Sequence, residues 1–299
     1  MERIFQYTIT ESDNLRPIGL FLKSMGYSSQ NLISLKKLDE GILLNDTPVY
    51  INEKLHTHDV LTIHIKELES SPRIRPVPLP LDILYEDSDL VIVNKPSNMP
   101  IHPSQNNHDN TLANAIMHYY NEQEIPYVFR CINRLDRDTS GLTILAKHML
   151  SGNLLSTMVQ NREIKREYLA IAKGIPVPDI GVINAPIART VDSTIERCVA
   201  CHGEAAVTHY KVLETNHGRG ICLLSLWLET GRTHQIRVHL KHIGHPLLGD
   251  FLYNPDMRYI HRQALHSHRL TFTHPITREL MTFTAPLPDD MKEALEATH

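Results

Sequence analysis

The sequence predicts an α+β protein in two units, a small N-terminal module followed by a larger mixed domain. Three observations carry that reading. The chain of 299 residues is about twice a typical domain of about 150 residues. Pro72, Pro76, Pro78 and Pro80 fall within nine residues, a spacing that favours an extended, semi-rigid connector. Beyond Leu81 the strand-like apolar runs are not regularly interleaved with helices, which argues against a doubly wound parallel sheet.

Residues 1–69 are expected to form the first unit, 70–80 the linker and 81–299 the second unit. In the first unit Leu15, Ile18, Leu22 and Met25 recur at helical spacing, and Gly26 supplies a stop. A second helix is expected from Ser29 to about Leu38, ending near Gly41. Ile42–Leu44, the turn pair Asn45-Asp46 and Val49–Ile51 read as a short hairpin, closed by a strand over Val60–Ile65. In the second unit Ile83–Glu86 and Leu90–Val93 read as strands about an acidic turn, and Thr111 to about Asn121 as a helix. Further strands are expected at Leu142–Ala146, Glu167–Ala172, Ala206–Leu213 and Cys222–Leu228. A helix from about Thr233 to Ile243 and another from Asp289, just after Pro288, complete the pattern.

A composition of 41% hydrophobic and 21% charged residues belongs to an ordinary globular protein and excludes disordered and fibrous classes. Thirty Lys and Arg against 34 Asp and Glu give a net charge of −4, so no global field points to nucleic acid. A nucleic-acid reading must rest on local basic clusters, softened by 19 histidines that can charge near neutral pH. No stretch approaches the roughly 18 apolar residues of a membrane span. Met1–Tyr7 has no apolar core and no small-residue cleavage site, so no export signal is expected. Four cysteines in a chain this long make no disulfide framework, and the expected location is a reducing cytoplasm.

Two polar clusters stand out. Asn133-Arg134-Leu135-Asp136-Arg137-Asp138-Thr139-Ser140-Gly141 runs directly into the apolar strand Leu142–Ala146. Such a run is a tight loop held by side-chain hydrogen bonds, and spacing alone leaves open a solvated charged turn or a catalytic loop on a rigid sheet. In Gly231-Arg232-Thr233-His234-Gln235-Ile236-Arg237-Val238-His239, Gly231 permits an unusual backbone angle and Thr233 could cap the following helix. Arg237 then sits in the first turns, able to reach a neighbouring carboxylate; an amphipathic surface helix fits the pattern equally well.

Together these segments resemble the RluA-type RNA pseudouridine synthases over about residues 76–290. The matching residues begin with Leu81–Asp87, Val93-Asn94-Lys95-Pro96 and Ile101-His102-Pro103. They continue through Arg134-Leu135-Asp136, Thr139–Leu142, Glu167–Ala170 and Gly231–His239. Gly244–Asp250, Ala264-Leu265-His266 and Ala285–Pro288 complete the series. The resemblance implies a mixed, mostly antiparallel central sheet with an active-site cleft. It implies Asp136 as catalytic aspartate, Tyr168 as active-site tyrosine and Arg237 as the basic partner of the aspartate. Arg134 would enter the RNA stack where a uridine has flipped out, and Arg232, Thr233, His234 and Gln235 would help bind substrate.

These roles suit the chemistry. Isomerising uridine to pseudouridine breaks the N-glycosidic bond, turns the uracil and rejoins it through carbon. An ionised carboxylate can act as nucleophile toward sugar or base, and a guanidinium within a few ångströms would keep it charged in a cleft. A tyrosine offers a stacking face for the flipped base and a hydroxyl for a proton shift. No cofactor and no metal are implied, and no phosphate-cradling glycine loop is present.

Residues about 14–66 resemble, more loosely, the αL RNA-binding motif that often precedes this domain. The match includes Leu32–Lys37, Gly41, Asn45-Asp46 and Asp59. Ser29-Gln30-Asn31 stands where an arginine is usual, and seven Lys and Arg against ten Asp and Glu over residues 1–69 leave Arg16, Lys36 and Lys37 as the phosphate contacts. Near the cleft, Arg73, Arg75, Arg130, Arg134, Arg162, Lys165, Arg166, Arg232 and Lys241 would supply further contacts. Asn133 replaces a common histidine, which implies altered local packing. The expected partner is RNA: large-subunit ribosomal RNA first, transfer RNA as the alternative, with no membrane and no obligate protein partner. A non-catalytic RNA-binding assembly factor is the rival class, and the intact Asp136, Tyr168 and Arg237 set argues against it.

Two motifs point elsewhere. Cys198-Val199-Ala200-Cys201-His202 fits a c-type haem attachment motif, yet haem attachment belongs to exported proteins. His239, His242 and His245 stand three apart like zinc ligands, but on a helix ending at Gly244 the third lies beyond the shared face.

Overall fold

The structure, a computed structural model, describes residues 1–105 and 107–296. Its N-terminal part contains β1 (Glu2–Thr8), α1 (Ile18–Ser24), α2 (Ser29–Leu35), β2 (Ile42–Leu44), β3 (Thr47–Pro48) and β4 (Val60–Lys66). The strands form one antiparallel sheet in the order β1-β4-β2-β3. Asn45 and Asp46 both take left-handed φ values, 49° and 64°, as a type I′ hairpin turn demands. Ser28 caps α2 in a reciprocal box with Asn31. β1 escaped the sequence reading because its inward positions are Arg3, Phe5 and Tyr7 while Ile4 faces out, which blurs the two-residue period.

The buried residues Ile18, Leu22, Leu35, Leu55, Leu61 and Ile63 fill this unit, and Leu150 from the main body closes its core. Gly26 belongs to the same contact. Its φ is +94°, and a Cβ there would stand 2.3 Å from the Leu154 side chain. Arg3 reaches across to Asp89 at 2.9 Å, where His148 and His274 also converge.

The larger part contains β5 (Ile83–Glu86), β6 (Leu90–Lys95), α3 (Leu112–Asn121), β7 (Ser140–Ala146), α4 (Met149–Gln160), β8 (Lys165–Lys173), β9 (Ile180–Asn184), β10 (Ile187–Arg189) and β11 (Arg197–Val199). β12 (Val207–Asn216), β13 (Ile221–Leu228), α5 (Gln235–His242), β14 (Leu265–Thr273), β15 (Leu280–Thr284) and α6 (Asp289–Glu296) follow. The main sheet has nine strands in the order β5-β6-β7-β14-β8-β13-β12-β9, with β15 added to β14. Every pairing in it is antiparallel except β7 with β14. It is the mixed, mostly antiparallel sheet expected.

The prolines of residues 70–80 keep that segment extended, but it lies against the body. Ser71 donates its N–H to the Tyr127 carbonyl, and the Ser70 and Ser71 hydroxyls accept from the N–H groups of Tyr127 and Phe129. Ile74 and Leu79 pack on the core beneath α3. β10 and β11 form a separate two-stranded hairpin beside α5. Among the described residues, no helix is long and apolar enough to cross a membrane.

Candidate active site

The loop from Asn133 to Thr139 is held from several directions. Asn133, buried, donates to the Leu142 carbonyl at 3.0 Å and accepts from the Ile144 N–H at 2.8 Å, so its amide bridges the loop to β7. Lys95, at the end of β6, is also buried and donates to the carbonyls of Pro96, Met99 and Arg137 at 2.8, 2.8 and 3.0 Å. Burial lowers its pKa to about 7. On the other flank Gln263 donates to Thr139 Oγ1, Arg262 to the Asp138 carbonyl, and Ser140 bonds His266. Gly141 is required here: with φ +110°, a Cβ would meet the Ser267 backbone oxygen at 2.3 Å. The loop thereby fixes Asp136, whose side chain keeps 31% of its surface open.

Arg237, in the first turn of α5, is 2% exposed. Its Nε and Nη2 donate to both oxygens of the fully buried Asp250 at 2.7 and 2.8 Å, and its Nη1 donates to Asp136 Oδ2 at 2.9 Å. Asp250 Oδ1 also accepts from the N–H groups of Leu252 and Tyr253. Burial alone would lower the Arg237 pKa; the bonds from Asp250 and Asp136 outweigh it and push it up. The Tyr253 ring lies 5.1 Å from this guanidinium. One fixed cation thus faces a partly open carboxylate.

Asp136 lies on the wall of a cavity of about 740 Å³. Tyr168, on β8, lines it from the sheet, with burial pushing its hydroxyl pKa up and Arg166 beside it acting the other way. Arg134, Arg232, Thr233 and His234 line the same cavity, together with Arg162 and Arg166. Thr233 does not cap α5. His234 holds the cap position at φ 58° with no side-chain cap bond, and this left-handed turn brings its Nε2 to 3.8 Å from Asp136 Oδ2 while Nδ1 bonds the Tyr253 hydroxyl at 3.0 Å. Burial, ahead of the opposing pull of Asp136, lowers the His234 pKa.

Three expected contacts lie elsewhere. Gln235 is buried; its amide binds the Val207 carbonyl, Thr208 Oγ1, Thr230 Oγ1 and the Arg232 N–H. With every polar atom spent on tying the 230–235 turn to β12, it has none for a substrate. Lys36 and Lys37 are exposed just beyond α2 and line neither this cavity nor the groove between α2 and α4. Arg16, offered with them, is committed to Asp13 at 2.9 Å.

Neither rival motif brings three metal-capable side chains together among the described residues. His239 bonds Thr208 Oγ1 and the Ala185 carbonyl, and His245 bonds the Lys173 carbonyl. All four cysteines are free. Among the described residues, the grouping with three metal-capable atoms within 4.8 Å of one another is Asp87, Asp89 and His274, and includes neither motif.

Residues 89–242 match the family model described as RNA pseudouridylate synthase. The chain belongs to the RNA pseudouridine synthase family. It is 39% identical over 272 residues to an uncharacterized RNA pseudouridine synthase of Bacillus subtilis, covering 91% of this chain and 95% of that one. It is 40% identical over 278 residues to ribosomal large subunit pseudouridine synthase D of Escherichia coli, covering 87% and 83%. Among solved structures, human RNA pseudouridylate synthase domain containing 4 superposes with a TM-score of 0.59 at 25% identity, over 72% of this chain and 91% of that one.

This pseudouridine synthase is therefore an isomerase that converts uridine in RNA to pseudouridine. Asp250, Tyr253 and Lys95 brace Arg237, His234 and the Asp136 loop from behind the cavity, supports that motif reading did not single out. The only signal for Asp250 was its place at the end of the Gly244–Asp250 match.

Proposed function

We propose that the protein isomerises a uridine of large-subunit ribosomal RNA, with Asp136 as nucleophile, Arg237 as its fixed counter-charge and Tyr168 as the platform for the everted base. The observation that carries this reading is the 2.9 Å bond from Arg237 to Asp136 on the wall of a cavity of about 740 Å³, a size within the usual range of ligand pockets. The ribosomal preference is supported by relatives named large-subunit pseudouridine synthase D at about 40% identity.

In the reaction the C1′–N1 bond breaks, the freed uracil turns, and a C1′–C5 bond forms. The C5 proton leaves and N1 takes one up, so the product is an isomer and nothing else is consumed. Asp136 is the group positioned to attack sugar or base. The Tyr168 ring stacks on uracil, and its hydroxyl is the proton carrier nearest the sheet wall. Arg134 enters the gap left by the flipped nucleotide, Arg166 receives a neighbouring phosphate, and Arg162 and Arg232 receive others by exchanging their carboxylate partners Glu229 and Glu204 for them. Lys36 and Lys37 offer the N-terminal unit's phosphate contacts away from the cavity.

Tritium release from a large-subunit ribosomal RNA transcript carrying 5-tritiated uridine tests the reading. Wild-type protein should release tritium and Asp136→Ala should not. Release that survives in Asp136→Ala overturns the nucleophile assignment. A wild type silent on this transcript but active on bulk transfer RNA overturns the substrate assignment.

A further inference from the structure

Beside the catalytic cavity lies a second groove of about 420 Å³, and the two share Arg134, Gly231, Arg232 and Thr233. The far wall of this groove is the β10–β11 hairpin, whose register sets Arg189 directly opposite Arg197. Directly opposed residues of an antiparallel pair carry their side chains on one face, with Cβ atoms about 4.5–5.5 Å apart, and like charges there weaken the pair. A two-stranded hairpin has little stability to spare. Among the described residues neither guanidinium forms an ion pair, while the nearby Glu204 is taken by Arg232 and Glu196 lies 3.9 Å from Lys241.

The hairpin nonetheless stays in place through the active-site frame. The Arg197 N–H donates to the Tyr253 hydroxyl at 2.9 Å, the same hydroxyl that bonds His234. Gly203 lets the following turn pass close by, since a Cβ there would meet the Ile187 backbone at 2.5 Å. Arg197 Nη1 is steadied by the carbonyls of Ile195 and Glu196 at 3.1 Å each, and Arg189 stands exposed. Two opposed cations thus stand at the rim of a groove that opens into the catalytic cavity, Arg197 steadied by carbonyls and Arg189 exposed, and among the described residues neither is ion-paired.

We propose that Arg189 and Arg197 form a phosphate clamp that grips one backbone phosphate of the RNA strand as it leaves the catalytic cavity across the Arg134–Arg232 threshold. The inference rests on the cavity being the uridine site, because that makes the adjoining groove the path of the neighbouring nucleotides. The arriving phosphate relieves the repulsion across the hairpin, so RNA binding and hairpin stability are coupled. This coupling separates the clamp from a merely basic surface.

The test uses the full-length protein and a fluorescently labelled large-subunit ribosomal RNA transcript, with Kd measured over a range of KCl concentrations. Arg189→Gln and Arg197→Gln should each weaken binding roughly 3- to 10-fold near physiological salt, and each should flatten the slope of log Kd against log salt by about 0.7–0.9. Arg189→Lys should keep most of the slope, and the charge-matched Lys292→Gln on α6 should leave it unchanged. In the RNA-free protein, Arg189→Gln should slow amide exchange in the hairpin. Slopes equal to wild type in both glutamine variants overturn the clamp, as does faster hairpin exchange in Arg189→Gln. The slopes are read from binding alone, so flattened slopes in the two glutamine variants beside a wild type that releases no tritium from this transcript overturn the substrate assignment and support the clamp.

Discussion

Asp250 holds Arg237 through both carboxylate oxygens, and the pair is almost wholly screened from water. Removing one member of such a buried pair leaves the other uncompensated, at a cost of about 3–5 kcal/mol. Asp250→Asn should therefore lower stability by that order in urea unfolding. It should also cut tritium release by about 10²-fold, since a guanidinium that shifts by an ångström no longer meets Asp136 correctly. Asp136→Asn should behave differently. Arg237 keeps Asp250, so stability should change by no more than about 1 kcal/mol while activity is lost.

Tyr168 separates stacking from proton transfer. Tyr168→Phe keeps the ring and should reduce kcat by about 10²- to 10⁴-fold if the hydroxyl carries a proton, with KM little changed. Burial pushes this hydroxyl's pKa above its ordinary value of 10, so it remains protonated through pH 10. The pH–rate profile should accordingly show no alkaline limb near pH 10 that is present in wild type and absent in Tyr168→Phe.

Lys95 joins β6 to the catalytic loop through three carbonyls. Lys95→Met leaves those oxygens without their donor, and each buried unsatisfied group costs about 1–3 kcal/mol. A net loss of about 2 kcal/mol lowers Tm by about 3 °C in a chain of this size. Differential scanning calorimetry and tritium release should fall together, because the Arg137 carbonyl it releases adjoins Asp136.

His266 sets an acid limit on the fold. Burial pushes its pKa down to about 4 from an ordinary value of about 6.5. In the window between those values the unfolded chain binds a proton that the folded chain does not, so stability falls as pH drops from 6.5 toward 4. The full effect is about 3 kcal/mol. Urea unfolding at pH 7.5 and 4.5 should show wild type losing more stability than His266→Gln by that order. Equal losses would show that the imidazole, bonded to Ser140 and the Ala285 carbonyl, is not what the acid attacks.

Much of the frame could be read from residue order. β8, β13, α3 and α5 appear where apolar runs and helix signals put them, because those segments are buried on the face their periodicity marks. α4 escaped notice because Gly152 and its Ser and Thr residues weaken its helical signal, although His148 and Ser151 cap it. β14 carries His266, Ser267 and His268 near its start, the first two buried, and such polar residues hide the strand pattern. The loop around Asp136 was visible as a charged cluster, but which charges face the cavity was not. Gln235 and His234 are sequence neighbours, and a single left-handed backbone angle at His234 sends one into the core and the other toward Asp136. The grip of Asp250 on Arg237 spans thirteen residues and a change of direction that no local pattern encodes.

The single parallel contact in the main sheet, β7 with β14, has a bearing on how the enzyme comes into being. The braces of the Asp136 loop at Arg262, Gln263 and His266 belong to the segment that ends in β14, and this segment is translated after Asp136, Tyr168 and Arg237. A nascent polypeptide therefore carries every reactive group before it can hold them in register.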